Sequence, residues 1–245
     1  MNETMNTIYK LRSERQFSDK PITQEDLEAI LEATVRTANS SSRQAYSVIV
    51  LTDKEKIKAA CGYTGEALLV FCADQNRLID IAEYLQQDYK KSKTIDFITC
   101  STDAVLAAQT AVIAATSLGI DSLITNGVHR QNFDELYELL ELPKEYCFPM
   151  IGVVLGYSAK PEEKHYKGRL TKGVIHYGTY HPMTKEEIEE EIAKFDSKDK
   201  KHGLTTYTQW EAMGFKHYYE WFYQVWNGKQ EDIFYPVLKE TKFFQ

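Results

Sequence analysis

Arg12, Ser13 and Arg15 stand within four positions of one another, in the stretch Arg-Ser-Glu-Arg-Gln-Phe over residues 12–17. Two guanidinium groups and a hydroxyl at that spacing suit an anion or the electron-rich edge of a ring, because each guanidinium offers a planar fork of donors. A second polar run, Thr-Ala-Asn-Ser-Ser-Ser-Arg-Gln over 37–44, brings Asn39, Ser40, Ser41 and Gln44 together. A serine-rich turn offers hydroxyls and backbone N–H groups to a polar ligand. Lys167 and Arg169 form a third patch. Asn126-Gly127 is a fourth, a turn whose glycine permits positive φ or close approach of another group. Each patch alone reads as solvated surface. Four of them on loops between apolar elements fit one large polar-aromatic ligand better than four coincidences.

The elements that must position these patches alternate along the chain. Thr23 caps a helix, with Asp26 in the capping-box position and Leu27, Ile30, Leu31, Thr34 and Val35 at helical spacing. Tyr46 to Leu51 is a β-branched run expected as a buried strand, and Thr52-Asp53 starts a short helix with Ile57, Ala59 and Ala60. Gly62 to Gly65 is a turn, and Ala67 to Ala73 a second buried strand. Residues 74–98 are expected as one helix carrying Leu78, Ile81, Ala82, Leu85 and Tyr89. Thr102 to Leu118 leaves almost no polar face, which predicts a helix buried on all sides, an ordinary core helix or one shared with a second subunit. Gly119 ends it. A short strand over 122–125, a helix over 133–141, a glycine-broken strand over 149–157 and an acidic helix over 184–195 follow. A charged hinge over 197–203 leads to an aromatic C-terminal stretch, suited either to packing on another surface or to completing its own core. Strands apolar on both faces predict a sheet covered by helices on both sides.

Composition narrows the function. The 245 residues carry a net charge of −7 and are 43% hydrophobic, enough for one sizeable core. That balance argues against nucleic acid as a partner. The four cysteines form no C-x-x-C pair and are expected as free thiols in a reducing compartment. No signal-peptide segment is recognised, and no apolar run is expected to span a membrane, so the cytoplasm is the expected location. G-x-S-x-G, H-E-x-x-H, P-loop and G-x-G-x-x-G motifs are absent, and the six histidines lack metal-ligand spacing. Hydrolytic, metal-dependent and Rossmann readings are therefore disfavoured.

The residues resemble the nitroreductase family of FMN-dependent oxidoreductases, in particular its NADPH-dependent nitroreductase and flavin reductase branch. The matching stretches are Arg12-Ser13-x-Arg15-x-Phe17, Ser40-Ser41 with Gln44, Thr52-Asp53, Val70 to Asp74, the alanine-rich helix into Ser117-Leu118-Gly119, and Leu155-Gly156-Tyr157. Lys167-Gly168-Arg169-Leu170, His176, Tyr180 and Pro182 continue the match. The resemblance implies an α+β fold, a central, mostly antiparallel sheet sandwiched by helices, in an intertwined homodimer. It implies a single domain over 1–245, with an aromatic arm at about 203–245. It implies FMN held by Arg12, Ser13 and Arg15 of one subunit, Lys167 and Arg169 at the phosphate, and Asn126 and Gly127 offering N–H groups to the ring. Asn39, Ser40, Ser41 and Gln44 would come from the other subunit. Residues 62–66 have no counterpart to a ring-contacting glutamine and stay unassigned.

The resemblance also implies a reaction without a catalytic side chain: hydride passes from NADPH, or NADH, through flavin N5 to nitroaromatics, quinones or free flavin by a ping-pong cycle. Arg15 would tune the ring. Arg15 and the Lys198, Lys200, Lys201, His202 loop are candidates for the nucleotide's 2′-phosphate. Three alternatives stand beside this: a flavin reductase supplying reduced FMN, a non-catalytic FMN carrier or sensor, and a cofactor-free dimeric interaction protein.

Overall fold

The strand Ala67–Asp74 (β2) is buried along nearly its whole length, which a strand achieves only at the centre of a sheet covered on both faces. The computed structural model describes residues 2–89, 93–161, 169, 172–198, 203–227 and 234–244. Within them β2 pairs antiparallel with Tyr46–Leu51 (β1) on one side and Cys147–Gly156 (β4) on the other. Asp121–Thr125 (β3) pairs antiparallel with β4, giving one four-stranded sheet in the order β1-β2-β4-β3.

Alternation along β2 divides the core. Ala67, Leu69 and Phe71 join Val153 and Leu155 against the helices Gln24–Thr34 (α2) and Lys93–Ser117 (α5). Leu68, Val70 and Cys72 join Phe148 and Val154 against Lys54–Cys61 (α3) and Phe133–Leu140 (α6). Phe234, Val237 and Leu238 of the C-terminal helix Phe234–Glu240 pack on that second layer, with Phe243 buried just beyond it. The α+β architecture with an antiparallel sheet between helices is the one expected.

Local signals set the ends as the sequence suggests. The Thr23 hydroxyl accepts the Asp26 N–H, and the Asp53 carboxylate accepts that of Lys56. Gly119 takes φ 76°, the left-handed geometry that a C-terminal glycine provides without steric cost.

Four expectations are corrected. The helix expected over 74–98 is Asn76–Tyr84, and Gln86 then turns left-handed at φ 54°. No glycine or proline marks that break, which is why periodicity runs through it. The alanine-rich helix begins at Lys93 rather than Thr102. Within the chain it is buried on one side only. Ala104, Ala107, Ala108, Ala111 and Ala115 face the sheet, whereas Ile95, Ile98, Val105 and Leu106 are exposed. Its length also revises the membrane argument: Thr94–Ser117 is long and apolar enough to cross a bilayer by length and composition. Its alanine face packs on α2, β2 and β4, as a core helix does.

The chain falls into two compact units, Met1–Lys164 with Ile233–Gln245, and His165–Asp232. The aromatic stretch expected as one arm is shared between them. In the second unit Trp210, Tyr218 and Trp221 are buried among Phe195, Tyr207, Phe215, Tyr219 and Phe222. There the aromatics complete a core of their own. Gly203 lies against the Tyr218 ring, where a Cβ would come within 2.2 Å.

Candidate functional site

The Arg-Ser-Glu-Arg strip lies on the outer edge of β3. Ser13 forms a parallel bridge with Ser122, and the Glu14 N–H donates to the Ser122 carbonyl at 2.9 Å. The strip then crosses the end of β4, where Phe17 bridges to Ser158. Its ring fills the space above Gly156, where a Cβ would come within 2.8 Å. Phe17 is thus the anchor of the motif. Gly65 makes a comparable close approach to Val154 and Leu155, which gives the unassigned 62–66 segment a packing role.

Arg12 and Arg15 do different work. The Arg12 guanidinium is tied at both terminal nitrogens, to Glu14 at 2.9 Å and to Asp121 at 2.7 Å. Asp121 also accepts the Ser158 N–H at 3.0 Å. Burial disfavours charge on Glu14. Hydrogen bonds from Ser158, the Gln16 N–H, Arg12 and the Arg15 N–H outweigh it and hold the carboxyl down to about 2. Arg12 is therefore a strut that fixes the strip. Ser13 and Arg15 are exposed and present a hydroxyl and a guanidinium from it.

Asn126 directly follows β3 on the same edge of the sheet and is exposed. Gly127 is not available in the way expected. Its N–H donates to the Thr125 hydroxyl at 2.9 Å, and its α-carbon lies against the Cys61 carbonyl, where a Cβ would come within 2.2 Å. The glycine is required by the chain's own backbone, and only Asn126 remains outward on that turn.

The serine run sits beside β1. Ser40–Ser42 forms a 3₁₀ turn after Asn39. Ser41, Ser42 and Gln44 hold φ of 54°, 55° and 48°. A left-handed residue other than glycine costs about 1–2 kcal/mol, so three in four positions need external support. Asn39 accepts the Gln44 N–H at 3.1 Å, and buried Asp103 of α5 accepts the Ser40 N–H at 2.9 Å. Sequence reasoning misses Asp103, Asp121 and Glu14. Of these, only Asp103, a lone acid within the alanine run, carries a readable signal.

The two patches occupy opposite corners of the sheet. Ser122 aligns through Leu155 and Ala67 with the position after Leu51, whereas the serine run ends just before Tyr46. Three strand spacings and six residues of strand separate Ser122 from Tyr46, roughly 25 Å for a regular sheet, and the strip lies one spacing further out. Arg169 is exposed and belongs to the second unit, as does Lys198, whose ammonium lies 4.6 Å from the Tyr207 ring centre. Lys167, Lys200, Lys201 and His202 lie outside the described residues.

A helix-covered antiparallel sheet with a basic, hydroxyl-bearing strip clamped to its edge defines an α+β protein that presents polar side chains at the sheet margin. The chain belongs to the nitroreductase family, whose family model matches residues 8–101 and 71–157, and it is an oxidoreductase. It is 32% identical to an FMN reductase (NAD(P)H) of Bacillus subtilis strain 168, over 98% of this chain and 96% of that one. It is 31% identical to an oxygen-insensitive NADPH nitroreductase of Salmonella typhimurium, over 84% of each. Its fold superposes on the NADPH:FMN oxidoreductase from Vibrio harveyi complexed with NAD+ with a TM-score of 0.77, 25% identity and 98% coverage of both chains.

Proposed function

We propose that this chain is an FMN-dependent oxidoreductase that draws electrons from NADPH and passes them to small acceptors, with two composite sites in a homodimer. The observation that carries this is the separation of two rigidly held, ligand-suited patches at opposite corners of one sheet. Too far apart to serve one cofactor within a chain, they meet one if the strip of one copy faces the serine run of another. The exposed apolar stripe Ile95, Ile98, Val105 and Leu106 of α5 supplies a surface for that pairing.

The residues fit FMN. Ser13 and Arg15 offer a hydroxyl and a cation to anionic or carbonyl oxygens, and Asn126 offers a polar contact on the same edge. Asn39, Ser40, Ser41 and Gln44 of the other copy would close the site, with Arg12 as strut and Gly127 as backbone spacer. Lys167 and Arg169 are assigned to the phosphate on the likeness of Lys167-Gly168-Arg169-Leu170 alone. When bound, FMN supplies the two-electron relay between nicotinamide and acceptor in a ping-pong cycle, work for which the side chains of the two patches are not suited. Arg15 would supply a positive charge to stabilise negative charge on the ring.

Nitroaromatics, quinones and free flavin are the acceptors in view. Likeness to an FMN reductase over almost the whole of both chains favours free flavin among them. The four cysteines are free and buried, which suits the reducing cytoplasm.

The visible spectrum of the purified protein, taken before and after NADPH without oxygen, tests the proposal. A flavin band that bleaches with NADPH and returns with added acceptor is expected. A flavin band that NADPH leaves unchanged would mark a carrier. No band after incubation with FMN would overturn the cofactor assignment.

A further inference from the structure

Asp103 is a carboxylate 2% exposed on the alanine-lined face of α5. A buried charge persists where hydrogen bonds satisfy it. Its two oxygens reach the two ends of the serine loop: one accepts the Ser40 N–H at 2.9 Å, the other the Ala45 N–H at 3.4 Å. From the opposite polarity, Arg77 of the helix Asn76–Tyr84 places one terminal nitrogen 2.7 Å from the Arg43 carbonyl and 2.6 Å from the Gln44 carbonyl. The loop is thus gripped at its N–H groups by an anion and at its carbonyls by a cation. Within the gripped stretch Ser41, Ser42 and Gln44 are all left-handed.

We propose that Asp103 and Arg77 are positioning residues for the cofactor site: they lock the Ser40–Gln44 loop in the backbone that presents Ser40 and Ser41 to FMN held by the partner copy. This rests on the composite FMN site proposed above. Neither residue need touch the cofactor. The Ser41 hydroxyl, on a left-handed residue, points where a relaxed loop would not send it, and Ser40 is fixed beside it by its N–H bond to Asp103, so the clamp converts two serines into a preformed subsite.

The test uses the full chain as Asp103→Asn, Arg77→Leu and the double variant. Asp103→Asn keeps the shape of the side chain but sets an amide N–H₂ against one of the two backbone donors. Amide hydrogen exchange of residues 40–45 is measured in FMN-free protein, alongside the FMN dissociation constant and thermal stability. Each single variant should speed exchange at Ser40 or Ala45 and weaken FMN about tenfold, the scale of one lost hydrogen bond to a charged group. The double variant should weaken FMN by less than the product of the singles, because both grips act on one loop. Ile57→Val, a core truncation away from the site, serves as the stability control and should leave loop exchange and FMN affinity unchanged. Unaltered exchange at 40–45, or FMN loss no greater than in a control of equal thermal stability, overturns the proposal. Arg77 is exposed, so Arg77→Leu decides the matter should Asp103→Asn fail to fold. A wild-type chain that takes up no flavin would instead overturn the FMN reading and the subsite with it, while exchange still reports whether the clamp exists.

Discussion

At the residue scale, two arginines three positions apart have acquired separate duties, and substitution should separate them. Arg12→Ala strands Glu14 and Asp121, whose side chains are 12% and 13% exposed, beside each other without their cation. Removing one partner of a largely buried ion network costs about 3 kcal/mol, which in a chain of this size lowers the melting temperature by roughly 6–12 °C. Arg15→Ala, at an exposed position, should leave stability within about 0.5 kcal/mol and weaken FMN at least roughly tenfold. Calorimetry and flavin titration on the pair check both; equal melting temperatures for the two variants would remove the strut assignment. Glu14 adds a pH signature. Its folded-state carboxyl lies at about 2 against an ordinary 4.5, so its stabilisation is complete above about 4.5 and is lost as pH falls toward 2. Solvent screening reduces that contribution to about 1 kcal/mol. Glu14→Gln should be less stable than the wild type at pH 7, with the gap closing below pH 4 in urea titrations.

At the element scale, much of the fold was legible because short-range rules set it. The Thr23 and Asp53 caps, the β1 run and the left-handed Gly119 follow from side chains whose preferences are satisfied within a few residues. Three features needed the tertiary structure. The break at Gln86 has no local signal, so two helices read as one. Ser41, Ser42 and Gln44 are poor left-handed residues by type, and only the grip of distant groups reveals why they adopt that geometry. Gly127 is a close-approach glycine, as its turn suggests, but the approaching group is the Cys61 carbonyl and not a ligand. Gly127→Ala therefore forces a Cβ to within 2.2 Å of backbone that has no rotamer to yield. A cost of about 2–3 kcal/mol is expected, read as a drop of roughly 4–12 °C in melting temperature. The exposed stripe of α5 makes a separate prediction. Leu106→Asp, at a position 41% exposed in the single chain, should leave the chain folded, halve its mass in light scattering and abolish FMN binding. A dimer of unchanged mass would move the interface elsewhere.

At the scale of the whole molecule, charge sets the terms for the nucleotide. A chain of net charge −7 repels a polyanionic donor, so discrimination for the 2′-phosphate of NADPH over the hydroxyl of NADH has to come from local cations. Arg15 and the run Lys198, Lys200, Lys201, His202 are the candidates, and the two lie in different compact units. Lys198 has its ammonium over the Tyr207 ring, which holds the cation in place while leaving N–H donors for an anion. Replacing Lys198, Lys200 and Lys201 together by alanine should lower kcat/KM for NADPH about tenfold, equivalent to ~1.4 kcal/mol, with NADH unaffected. Exposed pairs are screened on a scale of about 10 Å at 0.1 M salt, so the NADPH preference of the wild type should itself shrink as salt rises. Steady-state kinetics with both donors at two ionic strengths measures this directly. A preference that survives the triple substitution but still shrinks with salt would assign the phosphate to Arg15. Equal use of the two donors by the wild type would remove the preference altogether.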